Sequence, residues 1–570
     1  MTFIHALTRK AAQLVEDPTL RRWAIARLVG RTSPVNIAAG VPPYLRSMLP
    51  VRDQITPTRF PGGEANGAAP DEVVLPFPGE AKHIDPRDED FFAGAPKDLE
   101  VFLATHRFAW LPLLGPAAHP GAVAAIWRHW LHRHEKIDDS WAWHPYTAAE
   151  RAINLLSFAR THGLPAPRAA TAKILAQHAE HISRHLEYCG EHNTSNHLAN
   201  NGRGLYWIGL ELGLDAYADL GEAILVEEGR RLFRPSGVLR EGSTHYHALL
   251  TSRYVDAWLL ARRYSRPAAS TFERVARHAL SVLQAFVLPG GMPLVGDVSP
   301  DCPPQHLAAL QPHGNLSQGW GALLDVSERD AVFDLRQSCG PPDLDALRAD
   351  GWIRADHGLW SGLWYVSPEG WPPMPGHGHQ DCGSFELHYA DEVVFCDIGR
   401  RSYEPTGTSD TASFWHNTLT VDEVDIYPPN KPYYSDAFRR EVAGPTPTVQ
   451  MEPDGLSIAY SGYQRLGDVG RVTRQWRFTH DGLCIVDRIE GRGRRTIARN
   501  LHTQLPVEST GDQVVLRGKT RGYRIAADVV AHHSEGVYSP EYGVSSPATK
   551  IAIKGDGLLP WFSTLRVDII

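Results

Sequence analysis

Apolar residues recur at every third or fourth position through much of the first half of the chain, which is the period of an amphipathic α-helix. The pattern runs from about residue 95 to about residue 290, and it predicts helices at 121–134, 149–163, 169–188, 195–213 and 246–265. The segment 149–163 ends at Gly163, followed by Pro165, a combination that stops helices. Because the links are short, we expect antiparallel helical hairpins stacked on one another.

Beyond about residue 350 the apolar residues alternate with polar ones, which is the period of a β-strand. Strands are predicted at 359–366, 392–398, 417–423, 471–479, 483–490 and 523–530. The tripeptide HDG at 480–482 predicts a hairpin turn between two of them. Many short strands with no helices between them favour antiparallel sheets packed as a β-sandwich.

The change of period divides the chain into three predicted regions, giving a multidomain fold with α structure before β structure. Residues 1–90 are expected to form an N-terminal helix and an extended arm, because 33–90 is rich in proline and glycine. Residues 91–345 form the predicted helical domain and residues 346–570 the predicted sandwich, with the Pro/Gly-rich stretch 289–350 as their joint. A chain of 570 residues is too long for one ordinary core.

Composition narrows the class of protein. Hydrophobic residues make up 42% and charged residues 21%, which fits a folded soluble protein. A net charge of −8 gives no indication of nucleic-acid binding. The six cysteines form no CxxC pair, which argues against a zinc ribbon or a dithiol redox site. No apolar run is long enough to span a membrane, and no secretory signal is visible. We expect a cytoplasmic protein, or a periplasmic or secreted one whose signal was removed.

The first candidate for chemistry is the segment HNTSNHLANNGRG, 192–204, at the start of a predicted helix. Asn196 and His197 precede Asn200 and Asn201 by one helical turn. Ser195 or Asn196 could simply cap the helix. The density of amide and imidazole groups nevertheless exceeds what capping requires, so a functional role is the competing hypothesis.

The second candidate is LREGSTHYHALL, 239–250, where Tyr246 and His247 open a helix after a Gly-Ser turn. A tyrosine hydroxyl can act as a general base and then as a general acid if its pKa is lowered. On this segment alone an ordinary half-buried tyrosine is the alternative.

The third candidate is GHGHQDCGSFELHYADEVVFCDIG, 376–399, extended to SFWHNTLTVDE, 413–423. His377, His379, Asp397 and His416 offer nitrogen and oxygen ligands of the kind that zinc accepts. Residues two apart on an extended chain point the same way, so both histidines of the pair could face one cavity. We expect one histidine to bind metal and the other to face substrate, although hydrogen bonding within the sandwich would also account for them.

These three segments, in this order, resemble the heparinase II/III family of polysaccharide lyases, which includes alginate lyases of related architecture. The series HGHQDCGSFEL, CDIG and HNTLTVD is the most specific part of the resemblance. The resemblance implies an incomplete (α/α) toroid followed by a β-sandwich, with the active site in the cleft between them. It implies no organic cofactor and a structural zinc ion held by three ligands, His379, Asp397 and His416. The remaining site residues it implies are catalytic (Tyr246, His197, His377 and Asn196) or substrate-binding (Asn200, Asn201, His247, Glu241 and Tyr403).

The implied partner is an acidic polysaccharide or oligosaccharide, with no nucleic acid and no membrane span, and a homo-oligomer stays open. A lyase removes the C5 proton of a uronic acid and expels the oxygen at C4. The site must neutralise the neighbouring carboxylate, a demand like that of an oxyanion hole, and Asn196, His197 and His377 supply suitable donors. Tyr246 could be both base and acid for syn elimination, or the acid with His197 as base for anti elimination.

Three alternatives remain at the sequence level. A glycoside hydrolase needs two opposed carboxylates, for which Glu241, Asp297 and Asp301 are candidates. A non-catalytic glycan-binding or exopolysaccharide assembly protein could stack sugars on some of the 16 tryptophans. A zinc hydrolase would lose its rate, rather than its structure, when the metal is removed.

Overall fold

The computed structural model describes residues 14–15, 17–31, 40–51, 55–94, 98–372, 376–404, 410–431, 433–510 and 513–570. Within them helices fill the first half of the chain and antiparallel strands the second, which confirms the predicted order of the two regions. The predicted N-terminal helix is present at Pro18–Leu28, whereas residues 1–13 lie outside the described residues.

Within the described residues the helices pack mainly against their neighbours in sequence. Examples are His197–Leu212 on Asp215–Leu232 and Thr244–Arg263 on Ala269–Phe286. In chain order they are α1 (Pro18–Leu28), α2 (Leu99–Arg107), α3 (Trp110–Leu114), α4 (Pro120–His134), α5 (Pro145–His162), α6 (Arg168–Arg184), α7 (His197–Leu212), α8 (Asp215–Leu232), α9 (Thr244–Arg263), α10 (Ala269–Phe286), α11 (Pro304–Leu307), α12 (Val326–Gln337), α13 (Leu344–Ala349) and α14 (Asp436–Ala443). Short 3-10 helices lie at Pro43–Leu45, Gly115–Ala117, Ala308–Leu310, Gly319–Leu323, Ser413–Trp415 and Gly462–Leu466.

Local signals set the helix ends that later carry the site. α5 starts with Pro145, whose fixed φ suits a first helical position, and stops at Gly163, whose φ is 87°. The Ser243 side chain caps α9 by accepting a hydrogen bond from Tyr246 N (3.1 Å). This cap places Tyr246 in the first turn of α9, at an end of the helical half.

The strands form three larger antiparallel sheets and two small pairs. In chain order the strands are β1 (Glu64–Ala65), β2 (Val73–Phe77), β3 (Glu80–Ile84), β4 (Leu164–Pro165), β5 (Trp352–His357), β6 (Trp360–Tyr365), β7 (Ser384–Tyr389), β8 (Glu392–Phe395), β9 (Leu419–Val421), β10 (Thr448–Glu452), β11 (Gly455–Tyr460), β12 (Val469–Thr479), β13 (Gly482–Gly491), β14 (Arg494–Thr503), β15 (Val507–Thr510), β16 (Gln513–Arg517), β17 (Gly522–Ala527), β18 (Ala531–Tyr538), β19 (Ser546–Leu558) and β20 (Trp561–Ile569).

Sheet A has eight strands in the order β10-β11-β12-β13-β20-β17-β16-β15, and sheet B has four in the order β18-β19-β14-β9. Sheet C has four in the order β5-β6-β7-β8. Apolar side chains of all three sheets meet in one buried core, including Trp476 of sheet A, Ile497 of sheet B and Trp364 of sheet C. The HDG turn predicted from the sequence joins β12 to β13, with Thr479 paired to Gly482.

Two predicted strands are shorter than expected, and the reason bears on function. The strand predicted at 392–398 ends at Phe395, and that predicted at 417–423 is reduced to Leu419–Val421. The residues left out carry buried polar side chains: Asp397 contacts His416, and Asn417 Nδ2 donates to Phe385 O and Cys396 O (2.7 and 2.9 Å). The alternation of apolar and polar residues continues beyond the ends of these two strands, so it predicts strands that are too long. At those positions buried side chains make the hydrogen bonds that the backbone of a strand would otherwise make.

Sheet C lies between the helical half and the other sheets. Leu363 and Trp352 belong to the core of the helical half, whereas Ile353 and Trp364, which alternate with them, belong to the core of the sheets. Both faces of β6 are consequently buried, which explains why its sequence WSGLWY is almost continuously apolar. The loop 366–383, between β6 and β7, starts from this position.

A buried cluster of three charges joins sheet A to sheet B. Asp487 on β13 lies between Arg474 on β12 and Arg499 on β14, with both nitrogen-to-oxygen distances 2.9 Å. All three side chains are buried. Arg474 Nη1 also donates to Gly383 O and Asn417 O (3.3 and 3.0 Å), so the cluster extends to backbone that follows the candidate metal ligands His379 and His416 in the chain.

Replacing Asp487 with alanine should lower the free energy of unfolding by about 3–5 kcal/mol, because two buried guanidinium groups lose their counter-charge. Chemical denaturation of the full chain measures the effect. Asp481→Ala, at the exposed turn of the same hairpin, is the matched control, since Asp481 keeps 90% of its side-chain exposure. An equal and small effect for both variants would contradict the assignment.

Candidate active site

The polar segments noted in the sequence meet where the helical half contacts sheet C. α7 and α9 both begin there, and the loop 366–383 reaches them. His377 N donates to Glu241 O (2.8 Å), and Asp297 N donates to His377 O (2.9 Å). Backbone hydrogen bonds therefore hold His377 between two segments of the helical half.

Glycine permits this close approach of two backbones. Gly376 has φ 66°, and a Cβ at that position would lie 2.5 Å from Glu241 Cβ. Gly242 has φ 70°, and a Cβ there would lie 2.9 Å from Gly378 Cα. The left-handed φ and the lack of space both disfavour residues larger than glycine at these two positions. The segments GHGH (376–379) and REGS (240–243) therefore pack closely against each other in one site.

His377 occupies the centre of the cluster. Its ring stacks on that of Tyr246, with 3.4 Å between centroids and 11° between planes. Its Nδ1 lies 3.0 Å from Asp297 Oδ2, and its Nε2 lies 3.2 Å from Asn196 Nδ2. An Nδ1–H tautomer donating to Asp297 leaves Nε2 as acceptor for the Asn196 amide, so both ring nitrogens of His377 have a partner.

Buried Tyr246 and half-buried Tyr403 form a pair of phenols from the two halves of the chain, with 2.9 Å between their hydroxyl oxygens. Burial raises the pKa of Tyr246 well above its usual value, and the charges of Asp301 and Asp297 raise it further. Burial also raises the pKa of Tyr403. Both hydroxyls are therefore neutral in the free protein.

His197 differs from these groups because its side chain keeps 45% of its exposure. Its Nδ1 lies 2.7 Å from Glu187 Oε1, which directs Nε2 away from that carboxylate. Burial acts to lower the pKa of His197, but the hydrogen bond and charge of Glu187 outweigh it and the pKa is raised. Glu187 is a site residue that the sequence analysis missed, because it lies ten residues before its partner in a different segment.

The asparagines of the first segment serve different partners. Asn196 donates to Glu241 through both its backbone N (2.9 Å) and Nδ2 (2.7 Å). Asn201 Nδ2 donates to Glu187 Oε2 (2.9 Å), and Asn200 Nδ2 donates to Tyr146 O (3.4 Å). Asn200 and Asn201, expected from the sequence to bind substrate, are buried behind the cluster and support its members.

His247 is the expected substrate-binding residue that the structure does not bring to the cluster. Leu239 N donates to its Nδ1 (3.2 Å), and Ala279 O accepts from its Nε2 (2.9 Å). The ring is fully buried against Phe233 and Phe286. His247 follows Tyr246 on α9, and consecutive residues of a helix point to different sides. Its place next to Tyr246 in the sequence therefore did not predict its place in the structure.

A candidate metal site lies beside the cluster. One ligand atom from each of His379, Asp397 and His416 lies within 4.8 Å of the others. His379 Nδ1 and His416 Nε2 are buried and have no hydrogen-bond partner among the described residues, as expected of atoms that bind metal. The buried Asp381 carboxylate beside them also has no such partner. Two imidazoles and a carboxylate fit zinc.

Asp297 connects the metal site to the histidine of the cluster. Its Oδ1 lies 2.8 Å from His379 Nε2 and accepts from Arg400 Nη1 (2.8 Å), while its Oδ2 faces His377. Burial acts to raise the pKa of Asp297, but hydrogen bonds with His377 and His379 and the charge of Arg400 hold it far below its usual value. A carboxylate on the outer nitrogen of a ligand histidine is typical of metal sites.

A cavity of about 320 Å³ at this junction adjoins the candidate metal site. His379, Asp381 and Arg400 line it, together with Arg240 and Trp371.

No helix among the described residues is long and apolar enough to cross a membrane.

Comparison with known protein families gives a match to the sheet half of the chain. Residues 340–562 match the family model described as Heparinase II/III-like, C-terminal. No curated protein sequence matches the chain.

Solved structures extend the similarity to the helical half. The crystal structure of a heparinase III has a TM-score of 0.63 and 15% identity, covering 84% of this chain and 79% of its own. A mutant heparan sulfate lyase from Pedobacter heparinus has a TM-score of 0.56 and 16% identity, covering 94% and 84%. The family resemblance drawn from the sequence is confirmed for residues 340–562, and the fold is shared over most of the chain.

Replacing His379 with alanine should remove the bound metal, whereas replacing His377, two residues earlier, should leave metal content unchanged. Metal analysis of the purified variants tests this. Because metal binding is coupled to folding, a loss of about 2 kcal/mol in His379→Ala would lower Tm by roughly 4–8 °C for a region of this size. Equal loss of metal in both variants would contradict the division of roles.

Proposed function

We propose that this chain, whose residues 340–562 carry the heparinase II/III-like C-terminal domain, is a polysaccharide lyase that cleaves an acidic polysaccharide at a uronic acid by β-elimination. The observation that carries the proposal is the cluster of Tyr246, His377, Asn196 and His197 at the junction of helices and sheets. Its residue types meet each chemical demand of the reaction, and the shared fold with heparinase III supports it.

The first demand is to neutralise the uronate carboxylate, since the C5 proton is too weakly acidic beside a free anion. Asn196 Nδ2 and His377 Nε2 lie 3.2 Å apart and face each other in the free protein. In the proposed complex the substrate carboxylate comes between these groups and accepts from Asn196 Nδ2, and it accepts from His377 Nε2 when both nitrogens of that ring carry a proton. Glu241 and Asp297 hold the two side chains in place from behind.

The second demand is a base and an acid. We propose His197 as the base for C5 and Tyr246 as the acid for the leaving oxygen at C4. Tyr246 is a neutral phenol whose raised pKa suits proton donation more than proton abstraction. The Glu187 contact raises the pKa of His197, which makes its ring a stronger base. Tyr246 serving as both base and acid is the alternative.

We propose that the metal is zinc and that its role is structural, because its ligands lie on the sheet side of Asp297 while the reacting groups lie on the other side. The ion supplies positive charge and a fixed geometry to the loop that carries His377. We also propose that the paired helices form an incomplete (α/α) toroid, as the similarity to heparinase III supports.

A hydrolase with two opposed carboxylates is less well supported. Asp301 accepts from Tyr146 (2.7 Å) and Arg107 (2.8 Å), and Asp297 is held by two histidines and Arg400. These contacts keep the pKa of both carboxyl groups low, because neighbouring cations and donors outweigh burial. Neither group is suited to be the protonated acid that glycoside hydrolysis requires.

The proposed substrate class is a glycosaminoglycan or a related polymer with a uronic acid in each repeat. The similar solved structures are described as a heparinase III and a heparan sulfate lyase, both at about 15% identity. Such polymers present a carboxylate and a C4 leaving oxygen in every repeat. Incubation with heparan sulfate, chondroitin sulfate and alginate, followed by ultraviolet absorbance of the unsaturated uronate, tests the class.

Replacing Tyr246 with phenylalanine should lower kcat by about 10²–10⁴-fold, the usual contribution of a general acid. The ring that stacks on His377 is kept, so the fold should persist. Tyr254→Phe is the matched control, because Tyr254 is a buried tyrosine on the same helix whose hydroxyl donates only to Leu225 O (2.9 Å). Similar rates in the two variants would exclude the proposed acid.

Replacing Glu187 with glutamine should shift the acidic limb of the kcat/KM profile to lower pH. Glu187 raises the pKa of His197, so its loss lowers that pKa and the base stays deprotonated at lower pH. Rates measured across the pH range check the direction, with exposed Glu191→Gln as control. An unmoved limb would indicate that His197 is not the base.

A further inference from the structure

One tryptophan differs from the rest in its surroundings. Of the 16 tryptophans, Trp141 keeps 49% of its exposure, whereas the others are buried or half-buried. A single exposed apolar residue is ordinary on a protein surface. The position of this one makes it notable, because it lies in the loop between α4 and α5 and contacts His144, a neighbour of the site residue Glu187.

A short series of contacts connects Trp141 to the proposed base. The Trp141 ring lies 5.3 Å from that of His144, between centroids. His144 Nε2 lies 3.7 Å from Glu187 Oε1, the same oxygen that is 2.7 Å from His197 Nδ1. Burial lowers the pKa of His144, so that ring is neutral at neutral pH. Trp141 and His144 thus extend the wall of the site outward from His197.

The loop holds Trp141 in a fixed position even though its ring is exposed. The next two residues, Ala142 and Trp143, are buried. Arg151 Nη1 donates to Ala142 O (2.8 Å), and Trp143 Nε1 donates to His134 O (3.0 Å). An exposed ring on an anchored backbone loses little entropy when it binds a partner.

We propose that Trp141 is a stacking platform for a sugar ring next to the residue that is cleaved, an inference that rests on the proposed lyase function. The C–H face of a pyranose is apolar and covers an indole ring well, while its hydroxyl and acidic groups stay in water. Stacking of this kind selects for chain length more than for the pattern of charged substituents. It strengthens binding without participating in proton transfer.

The test compares Trp141→Ala with Phe333→Ala, because Phe333 on α12 has the same 49% exposure and lies outside the junction. Heparan sulfate and chondroitin sulfate oligosaccharides of increasing length serve as probes, with unsaturated uronate formation as readout. Trp141→Ala should raise KM roughly threefold to tenfold on the longer oligosaccharides. The KM on the shortest cleaved oligosaccharide and kcat should stay nearly constant. Trp141→Phe should restore most of the affinity.

A second measurement separates this inference from the lyase proposal. Calorimetric titration of the longest oligosaccharides into Tyr246→Phe and into Tyr246→Phe/Trp141→Ala reports binding without turnover, and the double variant should bind more weakly by the same factor. If the wild type forms no chromophore yet titration shows the Trp141-dependent loss, the lyase proposal fails, while the stacking of a sugar ring on Trp141 stands as a binding contact without cleavage.

Three results would overturn the platform. One is equal KM and affinity for the Trp141→Ala and Phe333→Ala variants. Another is absence of binding by any variant to either glycan series. The third is a change in elution volume for Trp141→Ala on size-exclusion chromatography, which would assign the ring to a contact between copies of the chain.

Discussion

A single buried carboxylate, that of Asp297, holds the candidate active site together. It comes from the helical half, yet its partners His377, His379 and Arg400 all come from the sheet half. Three nitrogen donors in a buried setting need a counter-charge, and the carboxylate in turn needs them to remain ionised. Asp297 therefore sets both the position of His377, which faces Tyr246, and the orientation of His379, a candidate metal ligand.

The side chains around this carboxylate differ in burial, and the difference suits them to different proposed roles. Tyr246 is a buried phenol and Tyr403 a half-buried one, and both hold their protons, whereas His197 is half-exposed and paired with Glu187. A neutral phenol as proton donor and a half-exposed imidazole as proton acceptor fit an elimination in which both act on one sugar. The candidate metal ligand His379 lies on the other oxygen of Asp297, apart from the oxygen that faces His377.

The sequence predicted what depends on local period and on recognisable segments. Helical and strand periods located the two halves, and GHGHQD identified the histidine pair. His247 was misplaced because its neighbour Tyr246 faces the site while it faces the core. Asp297 was noted only as a hydrolase candidate, and Glu187 was not noted, because their contacts to His377 and His197 depend on folding of separate segments. No period or spacing in one sequence encodes such pairings.

Sheet C, buried on both faces between two cores, limits how this protein can be divided. Cutting the chain before β5 would leave Trp352 and Leu363 facing water in the C-terminal part, and would open the corresponding surface of the helical part. The two halves are consequently not modules that can be exchanged independently between proteins. Any recombination that keeps the sheet must also keep the helices that cover it, so the two halves are expected to be inherited as one unit.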